Sequence, residues 1–388
     1  MKILILGFGK TGKTVYNFLK KENHQLFIYD QEILNYPNYY SYEKLQVELP
    51  LFDLCVRSPG ISKCSKIYFL ASTLSKTIIS DIELALNYIK SKHIIGVTGS
   101  NGKTTTSLMI QKVLDSKYKT YVLGNIGEVL LSYVDIIKED DIVILELSSY
   151  MMENTYSLNC EIVVVTSISP NHLNGSFNLE CYYGAKKRII INHPKLIVCN
   201  QETSNILKLS SYKYKDYQLS LFNKINNVNA NYALICGQYF NLKLDEMINN
   251  LKKFQIPIYR QQIIKETNEL VFINDSKSTS SSATNKSIEE YSNRKIVLIL
   301  EGIFKGESVN EFDLNLVDYI YSYGQINKLL NDNVIKMNNL EEILQSIYHL
   351  DLKGYVILFS PGGASLDLYN SYIERGNHFN KLVNKIWK

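Results

Sequence analysis

Gly96-Val97-Thr98-Gly99-Ser100-Asn101-Gly102-Lys103-Thr104-Thr105-Thr106 is the stretch whose reading decides the fold. It follows a short apolar run, His93-Ile94-Ile95, and leads into Ser107-Leu108-Met109-Ile110-Gln111-Lys112-Val113-Leu114, which has helical character. Strand, glycine loop and helix, in that order, make a phosphate-binding loop. Glycines let the backbone turn its N–H groups toward a phosphate, and the helix N-terminus adds a favourable partial charge. Lys103 would reach the outer phosphates, and the Thr104 hydroxyl would ligate Mg2+. The strict G-x-x-x-x-G-K-[ST] pattern wants glycine at position 97, where this chain has Val97; its glycines fall at 96, 99 and 102. A glycine-rich turn with a surface lysine is the bland alternative, and Gly-Lys-Thr directly after a strand argues against it.

Around this loop the chain has the composition of a soluble globular protein: 388 residues, 45% hydrophobic and 21% charged. That length predicts two or three domains. A formal charge of +4 does not suggest a nucleic-acid partner, although mild basicity suits anionic substrates. Cys55, Cys64, Cys160, Cys181, Cys199 and Cys236 are scattered without a C-x-x-C pair, which predicts reduced thiols and a cytoplasmic location. The opening apolar run Ile3–Leu6 is broken at once by Gly7, so no signal peptide is read. No stretch is apolar over the ~18 residues of a membrane span.

Strand and helix patterns alternate along the whole chain, which predicts an α/β fold with parallel sheets. Three domains are expected: residues 1–92, Rossmann-like; 93–292, a central P-loop mononucleotide-binding domain; and 293–388, again Rossmann-like. Residues 203–231 read as polar, irregular surface structure, with a helix from about Ala230.

Five further segments carry chemistry. Gly7-x-Gly9-x-x-Gly12, with Asp30 eighteen residues beyond, fits a dinucleotide-binding turn, a turn facing another nucleotide diphosphate such as a UDP-sugar, or a tight turn that binds nothing. Glu146, at the end of an apolar strand, reads equally as a Mg2+ ligand and as a solvated residue beside a helix cap at Ser148 or Ser149. His172, in Ser169-Pro170-Asn171-His172-Leu173-Asn174, is either structural or a ligand to a second divalent ion. Lys186-Lys187-Arg188 reads as a solvated helix face. Asn274-Asp275-Ser276-Lys277 reads as a polar turn.

Together these segments resemble the Mur ligase family, over nearly the whole chain. Arg57-Ser58-Pro59-Gly60-Ile61 is similar to its first-domain Ser-Pro-Gly motif. Residues 96–105 are similar to its Gly-x-x-Gly-x-x-Gly-Lys-[Ser/Thr]-Thr loop, which accounts for Val97. Gly124-Asn125-Ile126-Gly127, Glu146-Leu147-Ser148-Ser149-Tyr150, and Asn274–Lys277 with Thr279 also match. Ser360-Pro361-Gly362-Gly363-Ala364-Ser365-Leu366-Asp367, followed by Glu374-Arg375-Gly376-Asn377 and Phe379, looks like the motif of the branch that adds D-glutamate.

The resemblance implies an ATP-dependent amide ligase acting on UDP-N-acetylmuramoyl-L-alanine and D-glutamate through an acyl phosphate, as a monomer. Lys103, Glu146, His172 and Lys186 would be catalytic. Gly99, Ser100, Asn101, Gly102, Lys103, Thr104, Thr105, Asn229, Arg260 and Lys305 would bind ATP, with Asn226 and Asn227 as alternatives to Asn229. Thr104 and Glu146 would hold one Mg2+; His172 and a Lys186 carbamylated by CO2 would hold a second. Gly7, Gly9, Thr11, Gly12, Asp30, Ser58, Pro59, Gly60 and Asn125 would face the UDP-linked substrate, and Lys277, Ser365 and Tyr372 the D-glutamate. Asn171 and Asn174 replace two family carboxylates, Met151 a glutamine and Tyr259 a histidine, and the Gly-Gly-Asp-x-Lys segment reads Glu301-Gly302-Ile303-Phe304-Lys305. The alternatives are another Mur or folylpolyglutamate-type ligase, a non-catalytic nucleotide-binding relative, and an NAD(P)-dependent oxidoreductase. The last leaves Gly99–Thr105 and Glu146 unexplained.

Overall fold

The computed structural model describes residues 1–32, 35–168, 184, 186–190, 192–267, 269–304, 311–331 and 333–387. It divides into two compact units. The first takes in Met1–Ile168, residues 186–221 and Asn226–Phe254; the second holds residues from Gln255 onward and Phe222–Ile225.

The first unit contains two parallel sheets. β1 (Lys2–Leu6), α1 (Lys10–Leu19), β2 (Gln25–Tyr29), α2 (Tyr42–Glu48), β3 (Leu54–Arg57), α3 (Lys66–Leu74), β4 (Ile78–Ser80) and α4 (Asp81–Leu86) build a sheet of order β2-β1-β3-β4. β5 (His93–Thr98), α5 (Lys103–Leu114), β6 (Thr120–Gly124), β7 (Ile142–Glu146), α6 (Ser149–Met152), β8 (Ile162–Val165), β9 (Leu196–Val198) and α7 (Gln201–Leu207) follow, with order β6-β7-β5-β8-β9. α8 (Lys224–Tyr239) and α9 (Leu244–Leu251) complete this stretch of the chain. The strands are short apolar runs because both faces are covered, as parallel sheets require. Serine hydroxyls start the helices: Ser41, Ser65, Ser80 and Ser148 each accept an N–H of the first turn. One apolar cluster runs through both sheets, from Ile3 and Val15 to Leu145, Val163 and Leu207.

The second unit is built on one sheet. Its elements are β10 (Gln262–Glu266), β11 (Leu270–Asn274), α10 (Ser281–Glu290), β12 (Lys295–Glu301), β13 (Tyr319–Tyr323), β14 (Ile335–Lys336), α11 (Leu340–Tyr348), β15 (Tyr355–Gly362) and α12 (Tyr372–Ile386), in strand order β10-β11-β15-β12-β13-β14. β10 pairs antiparallel; the other pairings are parallel. β12 alternates perfectly: Val297 and Ile299 enter one apolar cluster, Ile296, Leu298 and Leu300 the other.

Two parallel sheets and a third that is parallel except for β10 match the expected α/β class, and two expectations need correction. The last domain does not begin at 293. β11 pairs residue for residue with β15, Leu270 with Tyr355 through Asn274 with Phe359, so residues before 293 belong to the final sheet, and the unit starts at Gln255. Residues 203–231 are not irregular throughout. α7 occupies their start, and α8 begins at Lys224 despite its asparagines, because those amides are satisfied internally: Asn229 donates to Asn226 (3.2 Å) and Asn231 to Asp216 (3.1 Å). Among the described residues no helix is long and apolar enough to cross a membrane. The described cysteines, Cys55, Cys64, Cys160, Cys199 and Cys236, are unbridged.

A buried charge cluster joins the two sheets of the first unit. Arg57, at the end of β3, donates to Ile61 O and Tyr150 O (both 2.5 Å) and lies 2.9 Å from the Glu153 carboxylate, with both side chains buried. Lys63 and Arg188 donate to Glu153 O at 2.8 and 3.0 Å. Removing one partner of a buried pair strands the other charge. Arg57→Met is therefore expected to lower stability by about 3–5 kcal/mol in urea denaturation, and Arg57→Met with Glu153→Met by clearly less. Equal losses in the single and double variants would show that the pair is not the tie.

Candidate functional site

β5 is the central strand of its sheet, flanked by β7 and β8, so the loop leaving it lies between two strand ends. Gly99 has φ +146°, and a Cβ there would sit 2.1 Å from Thr166 Oγ1; Gly102, at φ +85°, caps α5. Only glycine suits both positions. Gly96 is needed for packing instead, because a Cβ would meet Cys160 Sγ and Ile189 Cδ1 at 2.7 Å. The loop is clamped from β8: Ser100 N donates to Ser167 O (2.7 Å), Asn101 N to Ser167 Oγ (3.1 Å), and Thr166 Oγ1 to Asn101 O (2.5 Å). The sequence reading gave Thr166 and Ser167 no role; their hydroxyls just beyond an apolar strand were the available signal.

Lys103 is the first residue of α5, and its ammonium donates to Gly99 O (2.7 Å) and Ser100 O (2.9 Å). Lys186 donates to the same Gly99 O at 2.9 Å and is 2% exposed. This corrects the reading of Lys186 as part of a solvated face. Burial, and then the Lys103 charge, hold the Lys186 amine well below the ordinary lysine range, so it favours the neutral form. Thr104 and Thr105 follow Lys103 on the first turn of α5.

Glu146 ends β7, in register with Val97 of β5 and Gly124 of β6. It is buried, not solvated. Its Oε1 accepts Asn125 Nδ2 at 2.8 Å, while Oε2 has no hydrogen-bond partner among the described residues. An orphaned, buried carboxylate oxygen beside a phosphate loop suits a hard divalent cation. Only the cap of the other alternative is present: Ser148 Oγ accepts Met151 N at the start of α6. Asn125, expected on a sugar, is committed here to Glu146 through both its side chain and its N–H (2.9 Å to Glu146 O). His172, Asn171, Asn174 and Lys305 lie outside the described residues. Asn229 is buried behind the loop, accepting from Thr106 Oγ1 at 3.1 Å.

In the first sheet, the loops after β1, β2 and β3 converge. Phe8 N donates to Asp30 Oδ2 (2.5 Å) and Ser58 Oγ to Gly7 O (2.9 Å). Gly9 caps α1, the helix that carries Thr11, and a Cβ on Gly12 would strike Gly7 O at 2.0 Å. Pro59 and Gly60 continue the β3 loop, where Ile61 N bonds Ser58 O at 3.1 Å. Lys10 reaches Gly127 O (3.0 Å), linking this cluster to the loop after β6.

In the second unit, Asp275 is buried in a cage of hydroxyls: Ser278, Ser287 and Ser360 donate to Oδ2 at 2.5, 2.6 and 2.9 Å, and Gln261 N to Oδ1 at 3.0 Å. Burial still raises its pKa. The polar-turn reading missed this burial. The cage fixes the next residues: Ser276 Oγ donates to Tyr372 O (2.8 Å), and Lys277 Nζ lies 4.0 Å from the Tyr372 ring centre. Ser365 is buried nearby in sequence to β15, after the Ile303–Ala364 backbone bridge (2.8 and 2.9 Å). Arg260 precedes β10 in this unit.

A parallel sheet that presents a Gly-Lys-Thr loop, a second buried lysine on that loop and an acidic strand end defines an enzyme that uses a nucleoside triphosphate. The profile of the Mur ligase middle domain matches residues 97–258. UDP-N-acetylmuramoylalanine–D-glutamate ligases from Buchnera aphidicola and Petrotoga mobilis are 32% and 29% identical to the chain; the alignments cover 99% of it in each case, and 98% and 100% of those proteins. Among solved structures, the MurF ligase of Thermotoga maritima in complex with ADP superposes with TM-score 0.62 at 17% identity, over 99% of this chain and 95% of its own, and shares the fold. The chain belongs to the Mur ligase family, among the UDP-N-acetylmuramoylalanine–D-glutamate ligases. It is accordingly an ATP-dependent, Mg2+-using ligase.

Without the Asn125 amide, Glu146 Oε1 loses its orienting donor. Asn125→Ala is expected to weaken Mg2+ activation about 10–100-fold, read by Mg2+ titration of ATP-dependent phosphate release. An unchanged Mg2+ demand would show that Asn125 acts elsewhere.

Proposed function

We propose that this chain joins D-glutamate to UDP-N-acetylmuramoyl-L-alanine at the expense of ATP, as a monomer in the cytoplasm, during peptidoglycan precursor synthesis. The observation that carries this reading is the pair Lys103 and Lys186 on one loop carbonyl, in a chain whose full length aligns with ligases of that name. A carboxylate oxygen of the L-alanyl end attacks the γ-phosphorus and the bond to ADP breaks. The D-glutamate amine then attacks the acyl carbon, gives up a proton, and inorganic phosphate leaves as the amide forms.

Anions must approach one another in this reaction, so the site's task is to concentrate positive charge. Lys103 and the N–H groups of Gly99–Thr105 hold the β- and γ-phosphates. Thr104 and Glu146 would hold one Mg2+, and His172 with Lys186 a second; bound there, Mg2+ supplies the charge that screens phosphate and carboxylate. A neutral Lys186 amine is a nucleophile toward CO2: the N–C bond forms, the nitrogen loses a proton, and an anionic oxygen ligand takes the place of the amine. Asn229, Arg260 and Lys305 are assigned to the nucleotide. Gly7, Gly9, Thr11, Gly12, Asp30, Ser58, Pro59 and Gly60 are assigned to the UDP-linked substrate, Asn125 to orienting Glu146, and Lys277, Ser365 and Tyr372 to D-glutamate.

The test is ADP formation with the two substrates supplied together and singly. ADP release is expected to depend on D-glutamate; release indifferent to D-glutamate, or none, would overturn the reading. Lys186→Ala is expected to lower turnover at least ~100-fold, with partial recovery in formate. Full activity of that variant would refute the carbamate.

A further inference from the structure

Glu301 ends β12, where the family motif has glycine, and its side chain is wholly buried. Oε2 accepts from Arg375 Nη1, which also donates to Gly363 O (3.0 Å); Nη2 donates to Ser276 O (2.7 Å) and Nε to Ser276 Oγ (3.1 Å). Oε1 meets no hydrogen-bond donor among the described residues. Asp367 approaches Glu301 across Gly324. Its Oδ2 accepts Gln325 N (3.0 Å), and its buried Oδ1 also meets no donor among the described residues. The backbone closes tightly over the pair: a Cβ on Gly324 would sit 2.8 Å from Asp367 Oδ2 and 3.7 Å from Glu301 Cγ. Neighbouring buried carboxyls, each with a donorless oxygen, repel if both are ionised and can bond if one carries a proton.

We propose that Glu301 and Asp367 share one proton and, as a pair, position the turn that presents Ser365 to the amino-acid substrate. The residues next to each member of the pair hold that turn. Gly302, at φ +109°, packs its Cα against Gly363 and Ala364, Ile303 bridges Ala364, and Leu368 N and Tyr369 N bond Ser365 O at 3.3 and 2.9 Å. With one shared proton, the charge left on the two carboxyls balances Arg375.

The neighbours support this count. Burial, with Asp367 adding and Arg375 opposing, pushes Glu301 up to about 8. Tyr323 and Tyr369 also face it; burial raises both phenols, so they stay neutral. His378, bonded to Tyr369 OH at 2.9 Å, is lowered by burial and is neutral at pH 8. Because Glu301 binds its proton more tightly folded than unfolded, the pair's contribution is complete at low pH and is lost as pH rises toward 8.

Glu301→Gln tests this, since an amide donates to Asp367 at every pH; Asp367→Asn does the same in reverse, should the first variant fold poorly. The role in substrate binding rests on the D-glutamate reading, so two readouts are taken between pH 6.5 and 9.5. The ratio of wild-type to variant KM for D-glutamate, which cancels titration of the substrate amine, is expected to rise about tenfold from pH 7 to 9. The corresponding ratios for kcat and for the KM of ATP stay flat. In ligand-free protein, hydrogen exchange of the Leu368 and Tyr369 amides is expected to accelerate relative to the variant over the same range. A pH-independent KM ratio, or exchange that tracks identically in both proteins, overturns the proposal. If the wild type forms no D-glutamate-dependent ADP, the functional reading fails and hydrogen exchange alone decides the pair.

Discussion

Two lysine side chains converge on the carbonyl of Gly99, and much of the nucleotide site depends on how that crowding is resolved. Two ammonium ions sharing one acceptor repel, and Lys186 has no water to spread its charge. Burial and the Lys103 charge together hold the Lys186 amine well below the ordinary lysine range, which favours its neutral form. The loop can sustain this because it is fixed from outside. Thr166 and Ser167 tie it to the end of β8, Gly99 and Gly102 take backbone angles other residues resist, and the helix of Lys103 starts at once.

The same rule, that a buried charge is kept only where neighbours satisfy it, shapes the rest of each unit. In the first unit, Arg57 and Glu153 join the strand end before Ser58-Pro59-Gly60 to the helix after Glu146-Leu147-Ser148. Two loops with different ligands in prospect are thus held by one ion pair. In the second unit, Asp275 gathers three hydroxyls and one N–H, and so fixes Ser276 and Lys277 against Tyr372. Rigid strand ends are the common product, and they suit chemistry that needs several anions placed within bonding distance.

How much of this was legible in sequence depended on range. The parallel strands could be read because their apolar runs are local, and the phosphate loop because its glycines follow a strand directly. Lys186 could not: Lys186-Lys187-Arg188 looks like a solvated run, and only the fold turns its first member inward. Glu146 was read as an even choice between ligand and solvated neighbour of a cap; the cap is present, but the solvated side chain is not. Ser148 caps the helix, while Glu146 is buried with one oxygen unclaimed. The boundary at 293 failed because β11 finds its partner β15 more than eighty residues away, a pairing that composition cannot signal. The asparagines of α8 misled because their amides pair with one another and with Asp216, which removes the usual objection to asparagine in a helix.

The departures from the family motifs follow a physical pattern. Met151 packs into the apolar cluster of its unit and keeps the backbone N–H that Ser148 needs. Tyr259 adopts φ +62°, fits its ring over Gly376, where a Cβ would meet it at 2.4 Å, and bonds Asn377 through its hydroxyl (2.6 Å). Ile303 holds Ala364 by backbone hydrogen bonds alone, which any side chain permits. In each case the position is served by packing or by the main chain. Lys103, Thr104, Glu146 and Lys186 differ: a cation, a hydroxyl, an unclaimed carboxylate oxygen and a buried amine are not supplied by backbone. On the proposed assignment, a chain can therefore drift at the first kind of position and remain a ligase, while loss at the second kind would leave the fold standing and the phosphate merely bound.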